Sequence, residues 1–138
     1  MLPQGLLGLG LVLLFNHTVT ASDSLLLESY ASVQGVLEVD GLAGYENHAE
    51  IIQNGELNSI ELLMAGQRNY IHIEQVGDSN VVAGLNGQQP FTMHGTNSRV
   101  WIEQIGSMNT VLGAQLSSNS SISVTQHGSG NLAIINQF

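Results

Sequence analysis

One six-residue frame, Gln-x-Gly-x-x-Asn, recurs four times in the C-terminal part of the chain. The glutamines of successive copies are 22, 29 and 22 residues apart. A fixed period in this range is typical of a stacked repeat array, in which each unit packs mainly against its neighbours. The copies occupy residues 53–58, 75–80, 104–109 and 126–131.

Apolar residues alternate with polar ones on both sides of each frame, which predicts one strand before the turn and another after it. In the first copy these stripes run through Ala49 and Ile51, and then through Ile60 and Leu62. The glycine supplies the left-handed backbone conformation that a tight arc between the strands needs. The sequence therefore predicts an all-β fold, a β-solenoid (β-helix) of about four strand-arc-strand repeats.

The middle spacing of 29 exceeds the other two spacings of 22 by seven residues. We place this surplus in a loop over residues 87–97, because Pro90 cannot donate a hydrogen bond to a strand ladder. The second strand of that repeat is then expected to run through Val82, Gly84 and Asn86. The predicted repeats span residues 47–68, 69–97, 98–119 and 120–138.

Identical amide side chains that stack at roughly 4.8 Å can form continuous hydrogen-bond ladders, as in cross-β assemblies. A ladder needs the same residue on every step, which explains why Gln and Asn recur while the residues between them vary. We predict that the polar residues and glycines at fixed positions form the structural site of the array. They are Asn47, Gln53, Gly55, Asn58, Asn69, Gln75, Gly77, Asn80, Ser98, Gln104, Gly106, Asn109, Gln115, Ser120, Gln126, Gly128, Asn131 and Gln137.

With a Ser or Asn six residues before each Gln, the frame resembles the curlin repeat of curli, the functional amyloid fibres of Gram-negative bacterial surfaces. The ending Asn136-Gln137-Phe138 is similar to the Asn-Gln-aromatic ending of major curlin subunits. The resemblance covers roughly residues 47–138. It implies an exported structural subunit of extracellular fibres for adhesion and biofilm matrix, which polymerises by edge-strand templating into cross-β amyloid.

The resemblance also implies the partners of such a chain. These are identical or sister curlin subunits, an outer-membrane secretion pore and periplasmic accessory proteins. Two subunit types stay open, because the short array and imperfect early repeats favour the minor, nucleating subunit, whereas the complete last repeat favours the major one. We lean slightly to the nucleator.

The N-terminal residues predict export. The apolar stretch over residues 6–15 is too short to span a bilayer, and Val19-Thr20-Ala21 offers a cleavage site, so residues 1–21 are interpreted as a signal peptide. No membrane span is expected in the mature chain. Residues 22–46 do not fit the frame, and the resemblance gives them the role of a secretion-targeting leader. The expected location is a cell-surface fibre reached through the periplasm.

The composition argues against several other functions. With eleven acidic and two basic residues, the chain has no electrostatic footprint for nucleic acid. Four histidines lack metal-ligand spacing and no catalytic motif is present, so neither an enzyme nor a cofactor is expected. They are His48, His72, His94 and His127.

Charge is distributed unevenly, since residues 104–138 contain no Asp, Glu, Lys or Arg. Charges flanking β-prone segments act against aggregation, so this end of the chain is predicted to self-associate. The alternative from another class is a monomeric β-solenoid module that binds glycan or ice. Tyr70 and Trp101 are the only outward aromatic residues that we place on its strands.

Overall fold

The computed structural model describes residues 10–15, 24–30 and 34–138, with side chains from residue 46 onward. Within these residues the protein is all-β and has no helix. The strands are β1 (Gly10–Phe15), β2 (Ser24–Tyr30), β3 (Gln34–Tyr45), β4 (His48–Asn54), β5 (Ser59–Gln67), β6 (Tyr70–Val76), β7 (Val81–Ala83), β8 (Phe91–Thr96), β9 (Arg99–Ser107), β10 (Thr110–Gln115), β11 (Ser121–Ser129) and β12 (Leu132–Gln137).

The described strands form two sheets in which the paired strands are parallel. The first sheet has five strands in the order β2-β4-β6-β9-β11. The second has seven, in the order β1-β3-β5-β7-β10-β12, with β8 pairing with both β5 and β10. Parallel neighbours cannot be joined by a tight hairpin. From β4 onward, each connection between neighbours in one sheet therefore passes through a strand of the other.

The register follows the spacing of the repeated frame. In the five-stranded sheet, Gln53 pairs with Gln75, Gln75 with Gln104, and Gln104 with Gln126. The flanking residues pair in the same register. We call each strand-arc-strand unit from residue 47 onward a rung, and residues 120–138 the terminal rung.

The hydrophobic core lies between the two sheets, and each strand from β4 onward contributes one row of inward apolar side chains to it. Burial alternates along the strands, for example in β4 and β10, because successive side chains point to opposite faces. Four inward residues of the terminal rung are only partly buried, since that rung has a neighbour on one side alone. They are Ile122, Val124, Ala133 and Ile135.

The structure corrects the predicted position of the surplus residues. Phe91 pairs with Leu62 and Met93 with Met64, so residues 91–96 are strand β8 and not part of a loop over residues 87–97. The insertion is residues 84–90, between β7 and β8. Phe91 and Met93 are fully buried, and they take the core positions that the sequence analysis assigned to Gly84 and Asn86. Phe91 and Met93 remove much more apolar surface from water at these two core positions than Gly84 and Asn86 would.

Strand pairing also extends N-terminal to residue 47, which the repeat frame did not predict. Strand β2 pairs in parallel with β4, and β3 with β5, so the segment predicted as a secretion leader contributes backbone to both sheets. Of the predicted signal peptide, only residues 10–15 are among those described, as β1 beside β3. Export and secretion targeting stay predictions.

Candidate functional site: stacked amides and an open sheet edge

A continuous ladder of buried amides runs through the four glutamines of the repeated frame. Nε2 of each glutamine donates to Oε1 of the next at 2.9 Å, from Gln53 through Gln75 and Gln104 to Gln126. Nε2 of the last three also donates to a backbone carbonyl of the opposite sheet, at 3.1–3.2 Å. The ladder therefore links successive rungs and also ties the two sheets together. Because these amides are buried, each loss of a partner costs the desolvation of the group left behind.

The asparagines that end the frames link each arc to the next. Asn80 is representative, because its Oδ1 accepts the backbone N–H of Asn109 at 3.1 Å while its Nδ2 donates to the carbonyl of Gly106 at 2.9 Å. Asn58 makes the same two bonds to Asn80 and Gly77, and Asn109 makes them to Asn131 and Gly128. Each asparagine thus uses its oxygen and its nitrogen to hold the backbone of the following rung.

A third column stands at the opposite corner of the rungs. Oδ1 of Asn47 accepts the N–H of Asn69 at 3.1 Å, and Oδ1 of Asn69 accepts the N–H of Ser98 at the same distance. Oγ of Ser98 then accepts the N–H of Ser120 at 3.4 Å. Ser and Asn are interchangeable here because both present a side-chain oxygen to the next backbone N–H.

The frame glycines form a column in which no side chain fits between the rungs. Their φ angles are 121° at Gly55, 108° at Gly77, 120° at Gly106 and 103° at Gly128. A Cβ atom on any of the first three would lie 2.0–2.1 Å from the carbonyl oxygen of the glycine on the next rung. A Cβ atom on Gly128 would meet no carbonyl oxygen, and the nearest atom to it would be Nδ2 of Asn131 at 3.7 Å.

The structure does not bring every predicted ladder residue into an amide ladder. Gln115 and Gln137 are cross-strand partners, yet the Oε1 atom of each is buried without a hydrogen-bond partner. Nε2 of Gln115 donates instead to the carbonyl of Ser117 at 3.0 Å and to Oγ of Ser120. The predicted ladder at this pair is therefore replaced by a local contact with the connecting arc.

The terminal rung leaves each column unfinished. Strands β11 and β12 each stand at the end of their sheet and pair on one side only. Asn131 Nδ2 turns back to the carbonyl of His127 at 2.9 Å, and among the described residues nothing donates to its Oδ1. Two of the three outer side chains of β12 are apolar, with Leu132 62% and Ile134 64% exposed, and the third is Asn136. This edge can pair with another β-strand.

Sequence reasoning missed a network on the outer face of the five-stranded sheet. The Tyr70 hydroxyl donates to Oε2 of Glu50 at 2.7 Å, and Nδ1 of His72 lies 3.2 Å from the same oxygen. The hydroxyl bond, assisted by the imidazole, holds the pKa of Glu50 below its ordinary 4.5. Burial, with help from the carboxylate, raises the pKa of Tyr70 to about 12. The pairing of Glu50 with His72 follows from the 22-residue spacing once the register is known.

Two stacked ring pairs lie beside this network. The rings of His72 and Trp101 are 3.8 Å apart with an interplanar angle of 17°, and those of His48 and Tyr70 are 5.3 Å apart at 9°. A cavity of about 460 Å³ opens next to Trp101, towards β11. The sequence analysis identified both outward aromatic residues but did not bring them to one cavity.

Within the part of the chain whose side chains are described, no cluster of three His, Cys, Asp or Glu side chains could hold a metal ion. No described segment is a helix of the length and apolarity needed to cross a membrane. Comparison with protein-family models, with curated proteins and with solved structures gave no match to this chain.

Proposed function

We propose that the chain is an exported structural subunit of an extracellular fibre of the curli type, which serves adhesion and biofilm matrix. In this proposal the rungs form a β-solenoid of about four repeats that becomes a cross-β amyloid when molecules stack. The chain acts as a scaffold and has no catalytic role. Export through the periplasm and an outer-membrane pore is part of the proposal and rests on the resemblance to curlins.

The observation that carries the proposal is the unfinished terminal rung. Gln126 ends the amide ladder, and Asn131 presents an oxygen of the kind that accepts a backbone N–H in each lower rung. Strands β2 and β3 cover the N-terminal side of the array, so the proposal requires their displacement before an incoming rung with the same frame supplies the missing partners. That rung would also cover the four partly buried core residues of the terminal rung, and each fully buried aliphatic side chain stabilises by about 1.5–3 kcal/mol.

The glycine column provides a test of this edge. In the isolated chain, Gly128→Ala introduces only the backbone strain of its positive φ, since no carbonyl lies above it. In a fibre, the methyl group would meet the carbonyl of the incoming glycine, just as a methyl group on Gly55, Gly77 or Gly106 would meet the carbonyl of the next glycine. We therefore expect a Gly128→Ala chain to join a growing end and then block it, so that a small proportion added to wild-type protein shortens the fibres.

The matched control is Gly130→Ala. Gly130 also has positive φ, at 70°, but the lower rungs carry Leu57, Ser79 and Met108 at the same position, so a side chain is tolerated there. This variant should copolymerise without shortening the fibres. The unfolding free energy of each variant is first measured in urea. Seeded elongation is then compared between the two variants, with dye fluorescence and the fibre length in electron micrographs as the readouts. Equal fibre lengths with the two variants would contradict edge addition at this rung.

The subunit type is decided by a second assay. A nucleator accelerates polymerisation of a partner curlin at substoichiometric amounts, whereas a major subunit forms the bulk of the fibre. The two outcomes distinguish versions of the same proposal. A stable, dye-negative monomer after prolonged incubation would instead favour the glycan-binding module.

A further inference from the structure

The outer face of the five-stranded sheet has two columns of planar groups that both end at serines. His48 and Tyr70 stack, and Arg99 follows on the next strand. In the neighbouring column His72 stacks on Trp101. The next strand, β11, then pairs Ser121 with Arg99 and Ser123 with Trp101, so neither column continues.

The missing side chains leave room beside the indole ring. Because His72 lies on β6 and covers one face of the indole, the opposite face points towards β11. There the cavity of about 460 Å³ is lined by Trp101, Tyr70 and Arg99 together with the two serines. Trp101 is 42% exposed. This volume lies within the range of small-molecule sites, which is about 300–1,000 Å³.

We propose that this cavity binds a neutral hexopyranose ring, as one unit of an uncharged polysaccharide. The uncovered indole face offers a flat apolar surface of the kind that accepts the C–H face of a pyranose. The hydroxyls of Ser121 and Ser123 both donate and accept hydrogen bonds, which suits the hydroxyl groups around a sugar ring. The guanidinium of Arg99 adds planar donors at the rim, and no described carboxylate lies within ion-pair distance of it.

The surrounding charges select against acidic ligands. Glu50, Glu74 and Glu103 all lie on the same face of the sheet, whereas Arg99 is the one cation among the strand residues of that face with described side chains. A uronic acid or an anionic aromatic molecule would be attracted by Arg99 but repelled by these carboxylates. A neutral sugar uses the same donors without that repulsion.

The only tryptophan of the chain is the one that lines the cavity, so its fluorescence reports binding. Folded protein is titrated with soluble hexasaccharides of neutral β-1,4-glucan, β-1,4-mannan and β-1,4-galactan, and with an oligogalacturonate of the same length. We expect a saturable change with at least one neutral series and a weaker response to the uronate. No saturable change with any neutral series would overturn the proposal, and so would tighter binding of the uronate.

A pair of substitutions at one position tests the place of binding. In Ser123→Phe the introduced phenyl ring continues the stack over Trp101 and fills the cavity, so affinity should fall by about tenfold or more, which corresponds to at least about 1.4 kcal/mol. Ser123→Ala keeps the cavity open and should lose far less. Calorimetric titration of both variants, and of Trp101→Ala, gives the affinities without relying on the fluorophore. Undiminished binding by Ser123→Phe would show that the sugar binds elsewhere.

This inference does not depend on fibre formation. The titration is done on freshly folded protein and repeated on sedimented assemblies, while the blocking assay with Gly128→Ala needs no sugar. Loss of either result therefore leaves the other interpretable.

Discussion

At the scale of single residues, one carboxylate is held between neighbours from a different rung. Glu50 accepts the Tyr70 hydroxyl and lies beside His72, which lowers the pKa of the carboxyl and contributes to the raised pKa of the phenol. Neither shift comes from residues adjacent in sequence. Both depend on the register that stacks β4 on β6.

These shifts predict how the unfolding free energy depends on pH. The pKa of Tyr70 is raised to about 12 from 10.0, so its contribution is fully present below pH 10 and is lost as the pH rises towards 12. The pKa of Glu50 is lowered, so its contribution is present above the ordinary value of 4.5 and is lost as the pH falls through the folded-state pKa. Urea unfolding as a function of pH measures both.

Tyr70→Phe is the matched variant, because it removes the hydroxyl and keeps the ring that stacks on His48. We expect it to flatten the loss of stability between pH 10 and pH 12 and to reduce the loss at acid pH. An equal loss of stability above pH 10 in Tyr70→Phe would show that another group is responsible, and a flat wild-type profile there would show that folding does not raise the pKa of Tyr70.

At the scale of elements, the seven-residue insertion separates β7 from β8 without changing the register. Val82 pairs with Ile60 before the insertion, and Phe91 pairs with Leu62 after it. The two short strands therefore occupy the place of one strand of the regular repeat. Residues 84–90 leave the sheet, and the chain re-enters it at Phe91 in the same register.

Deletion of residues 84–90 should therefore preserve the fold. It joins Ala83 directly to Phe91 and restores the period of 22, so we expect a urea midpoint no lower than that of the wild type. Deletion of residues 91–97 has the same length but removes Phe91 and Met93 from the core, and truncation of a buried residue of this size costs about 2–5 kcal/mol. Comparable damage from the two deletions would contradict the observed register.

The insertion over residues 84–90 separates what the sequence predicted from what it did not. The frame with its fixed Gln, Gly and Asn predicted the strand before each turn, and the strand after it in every rung but the second, because identical ladder residues repeat at a visible period. The loop position was not predictable from Pro90 alone, since it depends on whether Gly84 or Phe91 fills one core site. The unpaired Oε1 atoms of Gln115 and Gln137 were missed for a related reason: alignment brings two amides together, but their rotamers decide whether they bond.

At the scale of the whole molecule, the glutamine ladder couples rungs that are distant in sequence. A middle member has two ladder partners, whereas the last member has one. Removal of an amide should therefore cost more in the middle than at the end. This difference in stability cost depends on the position of the glutamine in the stack and is not predictable from a single repeat.

Gln104→Leu and Gln126→Leu test this coupling. Each buried polar group that loses its partner costs about 1–3 kcal/mol, so we expect the unfolding free energy of the folded monomer to fall by about 2–4 kcal/mol for Gln104→Leu and by about half as much for Gln126→Leu. In seeded growth the difference between the effects of the two substitutions should be smaller, because Gln126 gains a second partner from the next molecule. Identical losses in the monomer would mean that the ladder bonds are not coupled along the stack.

The one-way orientation of the hydrogen bonds between rungs limits the forms that an assembly can take. Gln53, Gln75 and Gln104 each donate from Nε2 towards the C-terminal side of the stack, and the frame asparagines below the terminal rung present their oxygens to the same side. Two molecules related by a twofold axis would oppose nitrogen to nitrogen, and would run their edge strands in opposite directions. A twofold-related pair at this edge would therefore break the glutamine ladder, whereas in the proposed fibre head-to-tail addition continues it and regenerates the surface that received the molecule.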